Sequence, residues 1–355
     1  MGILADPDLP GDFARRLIAD LEASPDGADG RVSWRVGVLR DPFTSSEPRA
    51  DQIVELAREW MRRQAWDRAI CLTDLPLRVQ RRPLVAEVRP DAGVAVVSLP
   101  ALGATRLFGR VREAILWLEG ELTRQGGRGG SGGKRPPAFR FAVRRGESPD
   151  ASQAELRLLA SPVLGQLRML AGMVRANRPW RLVLGLSRVL AVALATSALA
   201  LTQNTIWQMG DSLGVPRLAV AAAGSVTAML VWLVADHELW ERRSGPAARN
   251  GEPVRLYNAA TVTTVLLGVG CLFVALLAIN LLAAEFLLSG SLLRSTLQHP
   301  VDITDYLELA WITSSAAVVG GALGSGLESD QVVRKAAYGN RELERRGDQD
   351  AAAGA

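Results

Sequence analysis

The feature that most constrains this chain is where its charge is missing. Four predominantly apolar stretches follow residue 180: Val189–Trp207, Leu218–Ala235, Ala259–Leu282 and Leu307–Leu327. At ~1.5 Å of rise per residue, helices of roughly 18–24 residues extend about 27–36 Å. A bilayer hydrocarbon core of ~30 Å calls for about 20 such residues. In lipid a backbone has to satisfy its own hydrogen bonds, so each run is expected to be helical. Buried core helices of a soluble domain are the competing reading. Four such runs in quick succession leave too little amphipathic chain to cover them.

The flanking charges orient the spans. Arg168, Arg175, Arg178, Arg181 and Arg188 precede the first, and Arg242, Arg243, Arg249 and Arg255 separate the second from the third. Arg334, Lys335, Arg341, Arg345 and Arg346 follow the fourth, whereas the two opposite loops hold only Arg217 and Arg294. Basic residues stay on the cytoplasmic side, which predicts four spans with both termini in the cytoplasm. A pI near 9.5 often signals nucleic acid. Here the excess sits beside the spans, where it suits anionic lipid headgroups, and nucleic acid is not expected as a partner.

Residues 1–145 read as a small cytoplasmic α/β domain. Phe13, Leu17, Ile18 and Leu21 recur at helical spacing after Asp12, and Val32, Trp34, Val36 and Val38 alternate as in a half-buried strand. Ser46 and Pro48 open a second helix with Ile53, Leu56, Ala57, Trp60 and Met61 on its apolar stripe. Ala69–Thr73 and Val94–Ser98 are short apolar strands, and Arg106–Leu122 is an amphipathic helix. A Gly-rich flexible segment, 124–137, lacks the Lys-Ser or Lys-Thr that closes a phosphate loop, and Phe139–Val143 alternates as an edge strand. The first ten residues are acidic and short of an apolar run, so the first span is expected to direct insertion. Residues 146–181 are expected to be an amphipathic helical connector suited to the membrane surface or to packing on the domain. Cys71 and Cys271 fall in different parts and no disulfide is expected.

Candidate functional residues are few. Asn280 is a costly polar group within the third span, Glu285 lies just over one turn further out near the outer interface and Glu308 at the outer face, and the three are candidates for transport or packing. Ala316, Gly320 and Gly324 repeat every four residues, the spacing that lets helix backbones approach in lipid. Asp302 and Asp305 bring further carboxylates near His299 at the outer face, and His237-Glu238-Leu239-Trp240-Glu241 mimics half of a zinc motif. A catalytic zinc takes three protein ligands, and with two histidines in the whole chain no metal site is expected. No catalytic constellation is found: Asp41, Asp74 and Glu87 read as ordinary loop carboxylates.

Ile70-Cys71-Leu72-Thr73-Asp74-Leu75-Pro76-Leu77, followed by Val94–Leu102 and the helix from Arg106, resembles the strand–strand–helix core of zincin-like domains, archaemetzincin-type proteases among them. The zinc-bearing helix of that family corresponds here to Val111–Glu121, which has no histidine. The resemblance therefore implies a metal-free relative used for binding. The order of soluble domain, basic connector and bundle, with Gly-Ala-Leu-Gly-Ser-Gly-Leu-Glu at 321–328, also resembles uncharacterised actinobacterial membrane proteins.

The expected fold class is thus α+β with a membrane all-α part: domain 1–145, connector 146–181, a four-helix transmembrane bundle over 182–330 and a cytoplasmic tail, 331–355. The expected function is that of a non-enzymatic bacterial inner-membrane protein without cofactor. Its cytoplasmic domain would bind a protein partner or ligand while the bundle anchors it in the lipid bilayer. The alternative is a homo-oligomeric transporter or channel for small ions or solutes, using the outer-half carboxylates.

Overall fold

The computed structural model describes residues 1–7, 9–22, 34–38, 50–79, 82–123, 139, 142–146, 156–179, 187–237, 239–240 and 254–326. The Gly-rich segment, Asp41, Ser46, Pro48, Glu238, Glu241 and the tail 331–355 lie outside them. The chain divides into two compact units, one over Met1–Ala176 and the other from Asn177 onward.

The first unit is built on a mixed sheet. Its strands are β1 (Gly2–Ala5), β2 (Arg35–Val38), β3 (Ala69–Thr73), β4 (Arg78–Val79), β5 (Arg82–Arg89), β6 (Val94–Ser98), β7 (Ala142–Gly146) and β8 (Leu156–Ala160). They lie in the order β2-β1-β3-β6-β5-β8-β7, with β4 paired to β5. The first four of that order run parallel, and β5, β8 and β7 pair antiparallel. Period-two alternation divides the central strands between two cores. Ile3, Ala5, Ile70, Leu72, Ala95 and Val97 face α1 (Leu9–Glu22) and α4 (Leu107–Thr123), joined there by α3 (Leu99–Leu102). Leu4, Cys71, Val94 and Val96 point the other way, onto Ile53, Val54 and Ala57 of α2 (Ala50–Gln64).

The structure adds one element and corrects two expectations. The N-terminus is a strand inside the sheet: Gly2–Ala5 is buried at every position between β2 and β3, a run too short to show a period. Glu87 is no loop carboxylate but a buried member of β5, paired to Arg89 at 2.8 Å and to Arg157 at 3.2 Å. The connector does not begin as a helix either. Leu156, Leu158, Leu159 and Ala160 are buried in β8, followed by α5 (Leu164–Ala176), which packs on α3. An apolar run rich in leucine satisfies helical spacing and a buried strand equally well, and here the open edge of β5 selects the strand.

The second unit is helical: α6 (Ser187–Leu201), α7 (Asn204–Ser212), α8 (Val215–Asp236), α9 (Val254–Leu287), α10 (Gly290–Leu297) and α11 (Ile303–Ser325). Helix α11 lies at its centre against α6, α8 and α9. Val189 and Ala193, Met229 and Leu233, Val265, Val269, Leu272 and Leu276, and Ala317 and Val318 meet in one core. Trp311 donates its indole N–H to the Leu218 carbonyl at 3.0 Å, tying α11 to α8. A capping box starts α11: Asp302 accepts from the Thr304 amide and Asp305 from the Asp302 amide, each at 2.7 Å.

Among the described residues three helices, α8, α9 and α11, are long and apolar enough to cross a membrane, in keeping with an integral membrane protein. The first expected span is not one straight helix. Helices α6 and α7 meet at 87° across Thr202 and Gln203, so the count reaches four only if the bent pair is one span. The break has a local cause. Thr202 and Gln203 turn their amides back to Leu199 and Ala200, and Gln203 takes extended backbone as the cap of α7. The Trp207 indole then satisfies the Leu201 carbonyl at 2.9 Å.

Candidate functional site

In the sheet unit, β5, β8, the Gly103–Thr105 loop and α5 enclose a cavity of about 470 Å³. Val85, Ala104, Ala160, Leu164 and Ala171 make its wall predominantly carbon, broken by Thr105, Ser161, Arg110 and Arg168. Both guanidiniums converge on one carbonyl, that of Leu102. Arg168 donates from Nε at 2.9 Å and Nη2 at 2.7 Å, and Arg110 from Nη1 at 2.8 Å. That carbonyl is presented by the end of α3, where Gly103 takes φ +87°. A Cβ at Gly103 would stand 2.7 Å from Arg168 Cγ, so this left-handed turn also makes room for the arginine. Burial, and then the charge of Arg110, pull the Arg168 guanidinium down to about 10. Neither arginine was singled out in the sequence; Arg168 reads there as one more basic flank.

The residues that carry the zincin resemblance form a buried strand-end network. Thr73 donates to Asp6 Oδ2 at 2.6 Å and accepts the Leu75 amide at 3.1 Å, and Ser98 donates to the Leu75 carbonyl at 2.6 Å. These bonds staple the ends of β1, β3 and β6. Burial, assisted by Asp6, raises the Cys71 thiol well above its ordinary value, which leaves it protonated and unreactive.

In the helical unit the sequence candidates part company. Asn280 is buried and donates to Ser314 Oγ at 2.9 Å, joining α9 to α11. Glu285 lies five residues further along α9, about 140° around the helix, and is exposed. Glu308 is half-buried and feels the charges of Asp211, Asp305, Asp302 and His299. On the other face of α11, a Cβ at Gly320 would meet Thr196 Oγ1 at 2.3 Å and one at Gly324 would meet Val192 Cβ at 2.9 Å, while Ala316 is half-buried. His237 is buried at the end of α8, its Nε2 3.7 Å from Asp236, and Trp240 is exposed.

Asp211, His299 and Asp305 offer ligand atoms within 4.8 Å of one another. The sequence brought Asp305 and His299 together, but not Asp211, which is 88 positions from the histidine. Protons account for this arrangement. His299 Nδ1 lies 2.9 Å from the Pro300 carbonyl and Nε2 lies 2.8 Å from Asp211, and both partners can only accept. The ring that satisfies both is the imidazolium, and the Pro300 carbonyl and Asp211 accordingly raise the His299 pKa. Asp305 is engaged by the capping box of α11.

The architecture is that of an α/β sheet unit coupled in one chain to an apolar helical unit. No protein-family model, curated protein or solved structure matches it.

Proposed function

We propose that this chain is a non-enzymatic, multi-pass protein of the bacterial cytoplasmic membrane, whose sheet unit is a binding module and whose helical unit is its anchor. In this reading the bent pair α6–α7 counts as the first of four spans, and both termini are cytoplasmic. The observation that carries the binding role is the cavity at Arg110 and Arg168, which joins a ligand-sized volume to two converging cations on an apolar wall. Three candidate spans and the one-sided arginines support the anchor. The zincin-like resemblance supports a binding rather than a hydrolytic use, because α4 carries no histidine.

Transport through Asn280, Glu285 and Glu308 is the other reading. The separate settings of Asn280, bonded between helices, and Glu285, exposed, give it no shared surface. The deciding experiment is purification of the full chain from native membranes after in-cell crosslinking, with bound proteins and small molecules identified by mass spectrometry. A stoichiometric partner or ligand lost from a cavity-filling Ala171→Trp variant is the expected result. Solute flux in proteoliposomes that Glu308→Gln abolishes and Ala171→Trp leaves intact would replace the proposal with a transporter. Orientation is read separately, from cysteines placed one at a time. A cysteine at Ala248 should resist an impermeant thiol reagent added outside the cell, and labelling from outside would reverse the topology.

A further inference from the structure

Two cations on a carbon wall specify a ligand better than the cavity volume does. A guanidinium is planar and pairs bidentately with a carboxylate or phosphate. Arg110 and Arg168 are held side by side because both donate to the Leu102 carbonyl, and Arg110 spends only one of its N–H groups there. Half-burying the Arg168 guanidinium lowers its pKa first, and the like charge of Arg110 beside it lowers it further. An anion set against both reverses the sign of the interaction. Apart from the hydroxyls of Thr105 and Ser161 the remaining wall, with Val85, Ala160, Leu164 and Ala171, presents carbon, which favours an aliphatic group over a bare inorganic ion. At the start of α5, Val163, Leu164 and Leu167 are exposed at 69%, 71% and 59%, so the apolar surface continues outward from the cavity. Isolated apolar side chains on a surface are ordinary, whereas a contiguous set beside a cavity marks a binding groove.

We infer that this cavity binds an amphiphile with one anionic head, a carboxylate or a phosphate ester, held by Arg110 and Arg168 with its aliphatic part along Val85, Ala160 and Leu164. The inference rests on the binding-module reading and names its ligand class. Two sources share this chemistry, an anionic membrane lipid and a free fatty acid.

The test uses the detergent-solubilised full chain with two probes, phosphatidylglycerol followed by native mass spectrometry and oleate followed by displacement of a fluorescent fatty acid. Two variants are compared with the parent: Arg110→Gln/Arg168→Gln, which removes the charge, and Ala171→Trp, which fills the cavity from an exposed position and keeps the charge. Each is expected to weaken binding of at least one probe by tenfold or more, with the thermal midpoint of Ala171→Trp unchanged. Loss confined to phosphatidylglycerol assigns a lipid, and loss confined to oleate assigns a free acyl anion. Equal binding by the parent and by Ala171→Trp, or no binding of either probe by the folded parent, overturns the inference. Capture of a protein partner in that last case leaves the binding-module reading standing without it.

Discussion

At the scale of single residues, charge burial separates what is structural from what is adjustable. Glu87 is 1% exposed and answers two arginines from within the sheet, Arg89 on its own strand and Arg157 directly opposite on β8. Arg89 reaches on to Asp51 of α2, so the network ties strand to helix. Glu87→Ala removes the buried carboxylate that links Arg89 to Arg157 and is expected to cost about 3 kcal/mol, read by urea unfolding with tryptophan fluorescence. His299 is the adjustable group. Its pKa is raised above the ordinary 6.5, so the ion pair with Asp211 is fully present below that value and is lost as pH rises through the folded-state pKa. The chain has two histidines, so a labelled-histidine NMR spectrum has two ring sites to assign, and the His299 signal is followed with pH. Asp211→Asn should bring the His299 midpoint down toward 6.5, and an unmoved midpoint would dissociate the pair. None of this pairing was legible beforehand. The strand Arg82–Arg89 contains a proline and three charged residues, which hide its buried apolar face. Asp211 and His299 meet only because the turn after α10 folds back beside α7.

At the scale of elements, glycine contacts report which helix touches what. Gly172 of α5 faces the backbone of α3, where a Cβ would fall 2.3 Å from the Pro100 carbonyl oxygen. On a helix lying free, Gly→Ala stabilises by about 1 kcal/mol. In this packing Gly172→Ala is expected to destabilise by about 1–3 kcal/mol instead, so the sign of the change in unfolding midpoint decides whether α5 belongs to the sheet unit. Gly324 and Gly270 make a similar contrast in the helical unit. Gly324→Leu must displace Val192 and the Arg188 carbonyl and should lower the thermal midpoint sharply, whereas Gly270→Ala meets nothing within 4 Å and should raise it slightly. Periodicity was enough to locate α2, α4, β3 and β6, and continuous hydropathy located α8, α9 and α11. It did not find β1, which is four residues long, or the bend at Thr202–Gln203, where a run of polar side chains was absorbed into a longer apolar window. Short elements and breaks draw their stability from neighbours distant in sequence, and a local window does not contain those neighbours.

At the scale of the whole molecule, the chain combines a sheet with two covered faces and a bundle wound about one central helix. The division into two units falls at Ala176, close to where the apolar pattern begins but some thirty residues past the domain end that composition suggested. The shift arises because β8 and α5 complete the sheet unit, and with them the wall of its cavity. The arginine pair was therefore invisible as a pair: Arg110 and Arg168 are brought together only when α5 docks against α3.

The bend between α6 and α7 has a mechanical consequence. Fifteen residues of α6 extend about 22 Å, some 8 Å less than a ~30 Å hydrocarbon core. The adjoining 34-residue α9 extends about 51 Å and overshoots it. In the proposed four-span arrangement the described length of α6 falls short of an ordinary bilayer and α9 exceeds it, so lipids beside the two helices would experience unequal hydrophobic mismatch. Thinning beside α6 is cheapest where acyl chains are short, and the reconstituted chain is expected to melt at a higher temperature in fourteen-carbon than in twenty-carbon phosphatidylcholine. In the proposed arrangement the kink would make the anchor a gauge of membrane thickness, with its short side setting the preferred value.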